Sequence, residues 1–462
     1  MHRFLLDDDG SNFLGTLGED WEEVVYHIAD HCADEVTTYL ICPGAGTWYF
    51  PTEVGDRRYP NLEPIYEAGG DPIATLIGHM RERGKEVFLT IRMNDVHNAD
   101  NPDDPLVPSF RKKHPEMVVD PDAVAEGRAN WMSYCLDYSR HEVRDYYLAI
   151  ITELVERYDI NGIQLDWLRF PRHLPGSPHE VWELREHLTE MTASVHELCR
   201  ARGRNLLVGA RIPTHLAGCR YMGLDIAEWT RRGLVDFLVT TPFLTTDFTI
   251  PLDDIRDELH GQAVPIYAGF DFNHGGQAHC PESLRAAMLS LFNCGADGIY
   301  LFNFPCWTEH IGSTPYHWLD DLGTAESSKR KPLLFSLSHQ RHRIAGVDQP
   351  GILPFEIAAG ATKEVRINLP AGVFPARRFL MLISSSDVIS VDVNKYDGKH
   401  MPVKHPCLFL EHQPRGAELP EDNTCYIFRL DLDALRHGNN VIRVTNQSGE
   451  PVSIARVNAG VW

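Results

Sequence analysis

Asp166 is the first residue in the sequence whose position suggests chemistry. It follows the run Gly-Ile-Gln-Leu at 162–165 and precedes Trp167. Such a run reads as a buried strand, so its last residue sets a carboxylate at a strand end, where a charge needs a partner or a purpose. Other strand-like runs end in polar residues too. Asp7, Asp8, Asp9 and Asn12 follow the first run, and Arg92, Asn94, Asp95 and His97 follow 86–91. Arg169, Arg211, Thr241, Asp271, Asn273 and Asn303 close later ones, with Trp48, Tyr49, Trp131, Trp167, Phe243, Phe272 and Trp307 nearby.

Carboxyl groups beside aromatic rings suit carbohydrate chemistry. Glycoside cleavage needs one carboxylic acid and one carboxylate across the scissile bond. Asp166 is the leading catalytic candidate. Asp271, Asp95 and then Asp247 are the candidates for the second carboxyl group. A structural role for Asp166, as an ion-pair partner of Arg169 or Arg211, is the alternative. Arg92, Asn94, His97, Trp131, Arg169, Arg211, Asn303 and Trp307 are the expected substrate contacts. The three arginines could hold a uronate or sulfated sugar, or simply balance Asp8, Asp9, Asp95 and Asp166. His97, His173, His274, His279 and His310 match no zinc spacing, so neither metal nor cofactor is expected.

These residues need a scaffold. Asp71-Pro72 reads as a helix start and Gly84 as its end. Ser139–Glu142 and Ser177–Glu180 read as capping boxes. Strands are expected at 3–6, 36–42, 86–91, 162–168, 206–212, 235–240, 264–270 and 298–302, each followed by a helix or by an insertion and a helix. Three helix ends, at Gly84, Gly203 and Gly233, share an Arg-Gly pair that suits a left-handed residue. Apolar strands alternating with amphipathic helices mean a covered parallel sheet. A count of eight means a (β/α)8 TIM barrel, with catalysis at the C-terminal strand ends. The stretch 92–138 is too long for an ordinary loop. It is expected to wall a substrate cleft, with Trp131 as a stacking surface.

The pattern changes at the polar, basic stretch 327–332. Beyond it, period-two segments broken by Gly, Asn and Asp predict strands. The expected organisation is a catalytic α/β barrel over 1–326, then an all-β jelly-roll-like sandwich over 333–462.

Composition narrows the function. The 462 residues carry Lys+Arg 43 against Asp+Glu 65, a net charge of −22. That balance opposes nucleic-acid and anionic-membrane partners. Hydrophobic residues at 43% exclude a disordered chain. No run of 18 apolar residues is present, and Met1–Gly10 lacks the pattern of a secretory signal. Ten scattered cysteines without a CxxC pair suit reduced thiols, so a cytoplasmic protein is expected.

The segment Asn161-Gly-Ile-Gln-Leu-Asp-Trp-Leu-Arg-Phe-Pro171, with the helix start at 137–147 before it, resembles the family-10-like glycosyl-hydrolase barrels of bacteria. Their pattern is hydrophobic–Asp–Gly–Ile–x–x–Asp, and Asn161 stands where the first Asp is usual. The resemblance spans roughly residues 1–325. The chain is more distantly similar to α-amylase-like barrels, whose strand-4 Asp is the nucleophile, which implies that role for Asp166. Their acid, a strand-5 Glu, has no counterpart in Ala210-Arg211-Ile212-Pro213. The expected function is glycoside hydrolysis of an oligosaccharide or polysaccharide-derived glycan, by a monomer or a homo-oligomer. The alternatives are a non-hydrolytic carbohydrate-binding barrel and a metal-dependent hydrolase or isomerase using the Asp/His face.

Overall fold

The computed structural model describes residues 3–201, 205–274, 277–311, 316–322, 328–340, 343–370, 378–401 and 424–461. Eight strands form a closed barrel. They are β1 (Arg3–Asp8), β2 (Thr38–Ile41), β3 (Glu86–Arg92), β4 (Gly162–Asp166), β5 (Leu207–Ile212), β6 (Phe237–Thr240), β7 (Ile266–Phe270) and β8 (Gly298–Leu301). They follow one another around the barrel in chain order, and the pairs from β1–β2 through β5–β6 are parallel. β1 is longer than the apolar run Phe4–Leu6 suggests, because Asp7 and Asp8 continue its pairing with β2.

The barrel interior is filled by side chains. The rings of Phe88 on β3 and Phe237 on β6 lie 5.6 Å apart although two strands separate them. Only inward-pointing residues can meet in that way. A Cβ on Gly209 of β5 would fall 2.1 Å from the Phe237 ring, so this strand position has no room for a side chain.

The connecting helices include α1 (Trp21–His31), α2 (Pro72–Glu82), α3 (His141–Arg157), α4 (Glu186–Ala201), α5 (Ile226–Arg231), α6 (Leu252–Glu258) and α7 (Pro281–Asn293). Asp71 caps α2 by accepting the Ala74 N–H at 3.0 Å. Gly84 and Gly233 are left-handed, at φ 76° and 65°. The capping box at Ser177 forms. The one expected at Ser139 does not: Arg140 is the N-cap of α3, with no side-chain cap. Instead Arg144 Nη1 donates to the Tyr138 and Ser139 carbonyls at 2.6 and 3.0 Å. Gly203 lies outside the described residues. No described helix is long and apolar enough to cross a membrane.

The insertion after β3 is built of single turns, at Ser109–Lys113, Pro115–Met117, Pro121–Ala125 and Trp131–Tyr134. It has a small core of its own, in which Val96, Ala99, Val119 and Cys135 pack with Phe170.

The chain divides into two compact units. The first holds Met1–Phe243, Leu252–Tyr267 and Gly346–Asp348, and the second holds Leu244–Pro251, Ala268–Ala345 and Gln349–Trp462. The second unit contains α7, β8 and the antiparallel strands that follow, so the division by compactness runs through β7 and not along the basic stretch at 327–332. After residue 322 the elements formed by the described residues are strands, apart from one short 3₁₀ turn at Leu432–Ala434. The strands are β9 (Leu333–Ser336), β10 (Phe355–Ile357), β11 (Thr362–Leu369), β12 (Phe379–Ser385), β13 (Ile389–Val393), β14 (Tyr396–Asp397), β15 (Lys399–Met401), β16 (Thr424–Leu430), β17 (Gly438–Asn446) and β18 (Val452–Val461). One sheet runs β9-β18-β12-β16-β15, with β10 also on β18, and the other runs β11-β17-β13-β14. The described pairings in both sheets are antiparallel. β9 is not legible from the period-two pattern: all four of its residues are buried, and Arg285 of α7 holds the carbonyl of Pro332 just before it.

Candidate active site

Arg92, Asp166 and Arg211 are cross-strand partners at the C-terminal ends of β3, β4 and β5. Arg92 lies four residues beyond Phe88 on the same strand, so all three side chains face the barrel interior. Asp166 is buried. Its Oδ1 accepts the N–H groups of Leu168 and Arg169 at 3.0 and 3.1 Å, and its Oδ2 accepts Nη1 of Arg211 at 3.0 Å. Arg211 Nε donates to Thr241 at 2.9 Å. The short turn after β4 thus supplies two of the three donors that compensate a buried carboxylate.

Arg92 joins two further carboxylates. Nη2 donates to Asp9 at 2.6 Å and Nη1 to Asp95 at 3.1 Å. Asp95 Oδ1 also accepts Nδ1 of His97 at 2.7 Å. On the other side of that ring, Nη2 of Arg169 faces Nε2 at 3.3 Å. Guanidinium only donates, so this contact assigns the imidazole proton to Nδ1. Burial alone would raise the Asp95 pKa. The hydrogen bond from His97, with the charges of Arg92 and Arg169, instead holds it well below the usual carboxylate range. Asp9 is lowered too, because Arg92 and Arg169 outweigh its burial.

An aromatic rim adjoins these groups. The Arg169 guanidinium lies 4.6 Å from the Phe170 ring centre and 6.0 Å from that of Phe243. Trp131 meets Phe170 edge-on at 5.7 Å and stacks on Phe243 at 6.3 Å. Trp131 keeps 42% of its surface exposed, and the His97 side chain keeps 40%. The backbone of Phe243 is held by Asp348, which accepts its N–H at 3.1 Å.

Asp166, Arg211, Arg92, Asp95, His97, Arg169 and Trp131 are therefore gathered in the first unit. Other expected contacts are occupied elsewhere. Asn94 is buried, and its amide nitrogen donates to Leu136, Arg172 and His173 while its oxygen accepts the Leu136 N–H. It fastens the insertion to the loop after β4. His173 completes this clasp, with Nε2 at 2.7 Å from the Trp167 carbonyl, and burial lowers its pKa to about 4.

In the second unit, Trp307 is buried, donates to the Phe302 carbonyl and stacks on His279, so it offers no free ring face. Asp247 is in a bidentate pair with Arg343. Asp271 directly follows β7. Its Oδ1 accepts the Phe272 N–H at 2.7 Å. Asn303 is left-handed, at φ 47°. His274 and His279 stack on each other at 4.7 Å in the interior of the second unit. The His310 side chain and Gly275–Gly276 lie outside the described residues. Among the described residues no group of three His, Cys, Asp or Glu side chains is placed to hold a metal ion.

Asp9, one of the four carboxylates expected to balance the arginines, is the partner that anchors Arg92. One feature escaped the sequence reading. Phe170 carries the Arg169 guanidinium; the Arg-Phe-Pro run after the strand-4 Asp was its only signal.

The fold and the charged row at its strand ends define a TIM barrel with a carboxylate centre. Residues 35–205 match the family described as Glycosyl hydrolase-like 10. The match covers Arg92, Asp95, His97, Trp131, Asp166 and Arg169. No curated protein matches the chain. Among solved structures, α-L-fucosidase isoenzyme 2 from Paenibacillus thiaminolyticus is similar at 17% identity and a TM-score of 0.48, over 70% of this chain and 49% of the other. The chain thus spans about half the length of that enzyme. The PgaB (BpsB) glycoside hydrolase domain from Bordetella bronchiseptica is similar at 12% identity and a TM-score of 0.47, over 70% of this chain and 99% of the other. An α-amylase from Geobacillus thermoleovorans is similar at 13% identity and a TM-score of 0.41, over 97% and 99%. At these identities the likeness is one of fold alone.

Proposed function

We propose that the protein is a glycoside hydrolase that cleaves an oligosaccharide through carboxyl groups at the C-terminal ends of the barrel strands, with Asp166 as nucleophile or charge stabiliser. The observation that carries this reading is the interior row Arg92–Asp166–Arg211, in which a buried carboxylate is held by three donors. A carboxylate fixed in this way is poised to face an oxocarbenium-like transition state. The exposed face of Trp131 supports a sugar-binding role for the rim.

The second carboxyl group has to donate a proton. Asp95 suits that task poorly, since its charge is stabilised by His97 and Arg92 and both of its oxygens are engaged. It is better placed to orient His97. Asp271, at the end of β7, is the remaining choice.

The test is Asp166→Asn, which keeps shape and removes charge. On a glycan panel, turnover should fall at least about a hundredfold while the melting temperature stays close to that of the parent. A lower melting temperature with activity reduced only in proportion would make Asp166 structural. Binding of a glycan by the parent protein without cleavage would replace the hydrolase by a carbohydrate-binding barrel.

A further inference from the structure

Charge is not evenly matched across the three arginines of the candidate site. Arg92 is shared by Asp9 and Asp95, and Arg211 is taken by Asp166. Arg169 has no carboxylate within salt-bridge distance among the described residues. The one hydrogen bond of its guanidinium among the described residues is to His97 Nε2, and its Nε is buried with no acceptor. Guanidinium carries five N–H donors. Arg169 as a whole is half-buried, and leaving its buried Nε–H without an acceptor costs roughly 1–3 kcal/mol, so its position calls for an acceptor.

The surroundings hold the group in place. Phe170 and Phe243 flank the guanidinium and His97 takes one corner of it. The exposed ring of Trp131 stacks on Phe243 beside it. A planar cation with its donors fixed matches a planar carboxylate in bidentate fashion, and an exposed indole matches the C–H face of a pyranose ring. A net charge of −22 repels polyanions at long range, which favours a single carboxylate over a densely sulfated chain.

We infer that Arg169, His97 and Trp131 form a subsite for a sugar that carries a carboxylate, a uronate residue, at the rim of the candidate active site. The inference rests on the glycosidase reading only for the sugar's being a substrate. Arg169 acts here in binding and specificity.

The experiment titrates the full-length protein with galacturonate, mannuronate and glucuronate oligosaccharides, each beside its carboxyl-reduced neutral counterpart, and with a sulfated galactan oligosaccharide. At least one uronate should bind about tenfold or more tightly than its reduced counterpart. Arg169→Gln should abolish that ratio. Arg169→Met, which keeps the packed stem, should abolish it too and guards against a folding defect, with melting temperature measured for both. Trp131→Ala should weaken charged and neutral forms alike. The inference is overturned if no uronate outbinds its reduced form, if the preference survives loss of Arg169, or if only the sulfated oligosaccharide binds.

Release of reducing ends is followed in the same samples. Cleavage of neutral glycans without any uronate preference would sink the subsite and leave the hydrolase standing. Arg169-dependent uronate binding with no cleavage would do the reverse.

Discussion

Asp8 and Asp9 are neighbours with opposite surroundings. Asp9 reaches Arg92 on the interior face, while Asp8 points the other way and bonds the Tyr39 hydroxyl and the Gly10 N–H. Burial, with the charge of Asp9, pushes the Asp8 carboxyl up to about 6. The folded chain therefore keeps a proton that the unfolded chain has lost between about pH 4 and 6, and stability falls as pH rises through that window. Asp8→Asn should remove this slope. The variant should match the parent near pH 4 and exceed it by up to about 3 kcal/mol above pH 6, as read by urea unfolding across pH. A variant destabilised equally at every pH would contradict the assignment. Types and positions at this scale were readable from sequence: Asp166 stands out as a charge ending an apolar run. That Asp7 and Asp9 face inward while Asp8 turns outward was not readable, because that depends on where pairing with β2 begins.

Local patterns between strands held where the cap is self-contained. Ser177 and Glu180 satisfy each other within one turn, so their spacing suffices to predict the cap. Ser139 fails because Asp137 takes the Ser139 N–H that Glu142 would have to accept, while Arg144, one turn along α3, holds the carbonyls of Tyr138 and Ser139. The insertion after β3 shows the same dependence on partners at a distance. Its length marked it as functional, yet the Asn94–His173 clasp that fixes Trp131's loop joins residues 79 apart in the chain. Gly209 gives a test at this scale. A methyl group there would meet the Phe237 ring at 2.1 Å, so Gly209→Ala should cost about 1–3 kcal/mol through overpacking, measured by chemical denaturation. Pairing it with Phe237→Leu should recover part of the loss. An unchanged midpoint for the single variant would show that the barrel interior is looser than this packing.

Across the whole molecule the response to acid is set by buried histidines. Burial lowers His173 to about 4 and His274 to about 3, and holds His279 well below its usual value. Unfolding lets each take up a proton below about pH 6.5, so the stability they contribute above that pH is lost as pH falls toward 4. By pH 5, His173 and His274 each forfeit roughly 2 kcal/mol, whereas Asp8 returns only about 1 kcal/mol. The histidines win, and the melting temperature should drop clearly between pH 7.5 and pH 5. A flat profile would mean that these rings are not kept neutral. The sequence by itself determined the order of elements, the count of eight barrel strands and the change to an all-β pattern near the basic stretch, because alternation and end signals are local properties of the chain. It also determined that Asp166 ends a barrel strand. Only the tertiary structure decided that Arg92, Asp166 and Arg211 share one register, that Asn94 and Trp307 are spent on packing, and that Arg169 is left without a carboxylate. Those outcomes depend on pairings between residues tens of positions apart, where strand register and burial choose partners that residue type alone cannot.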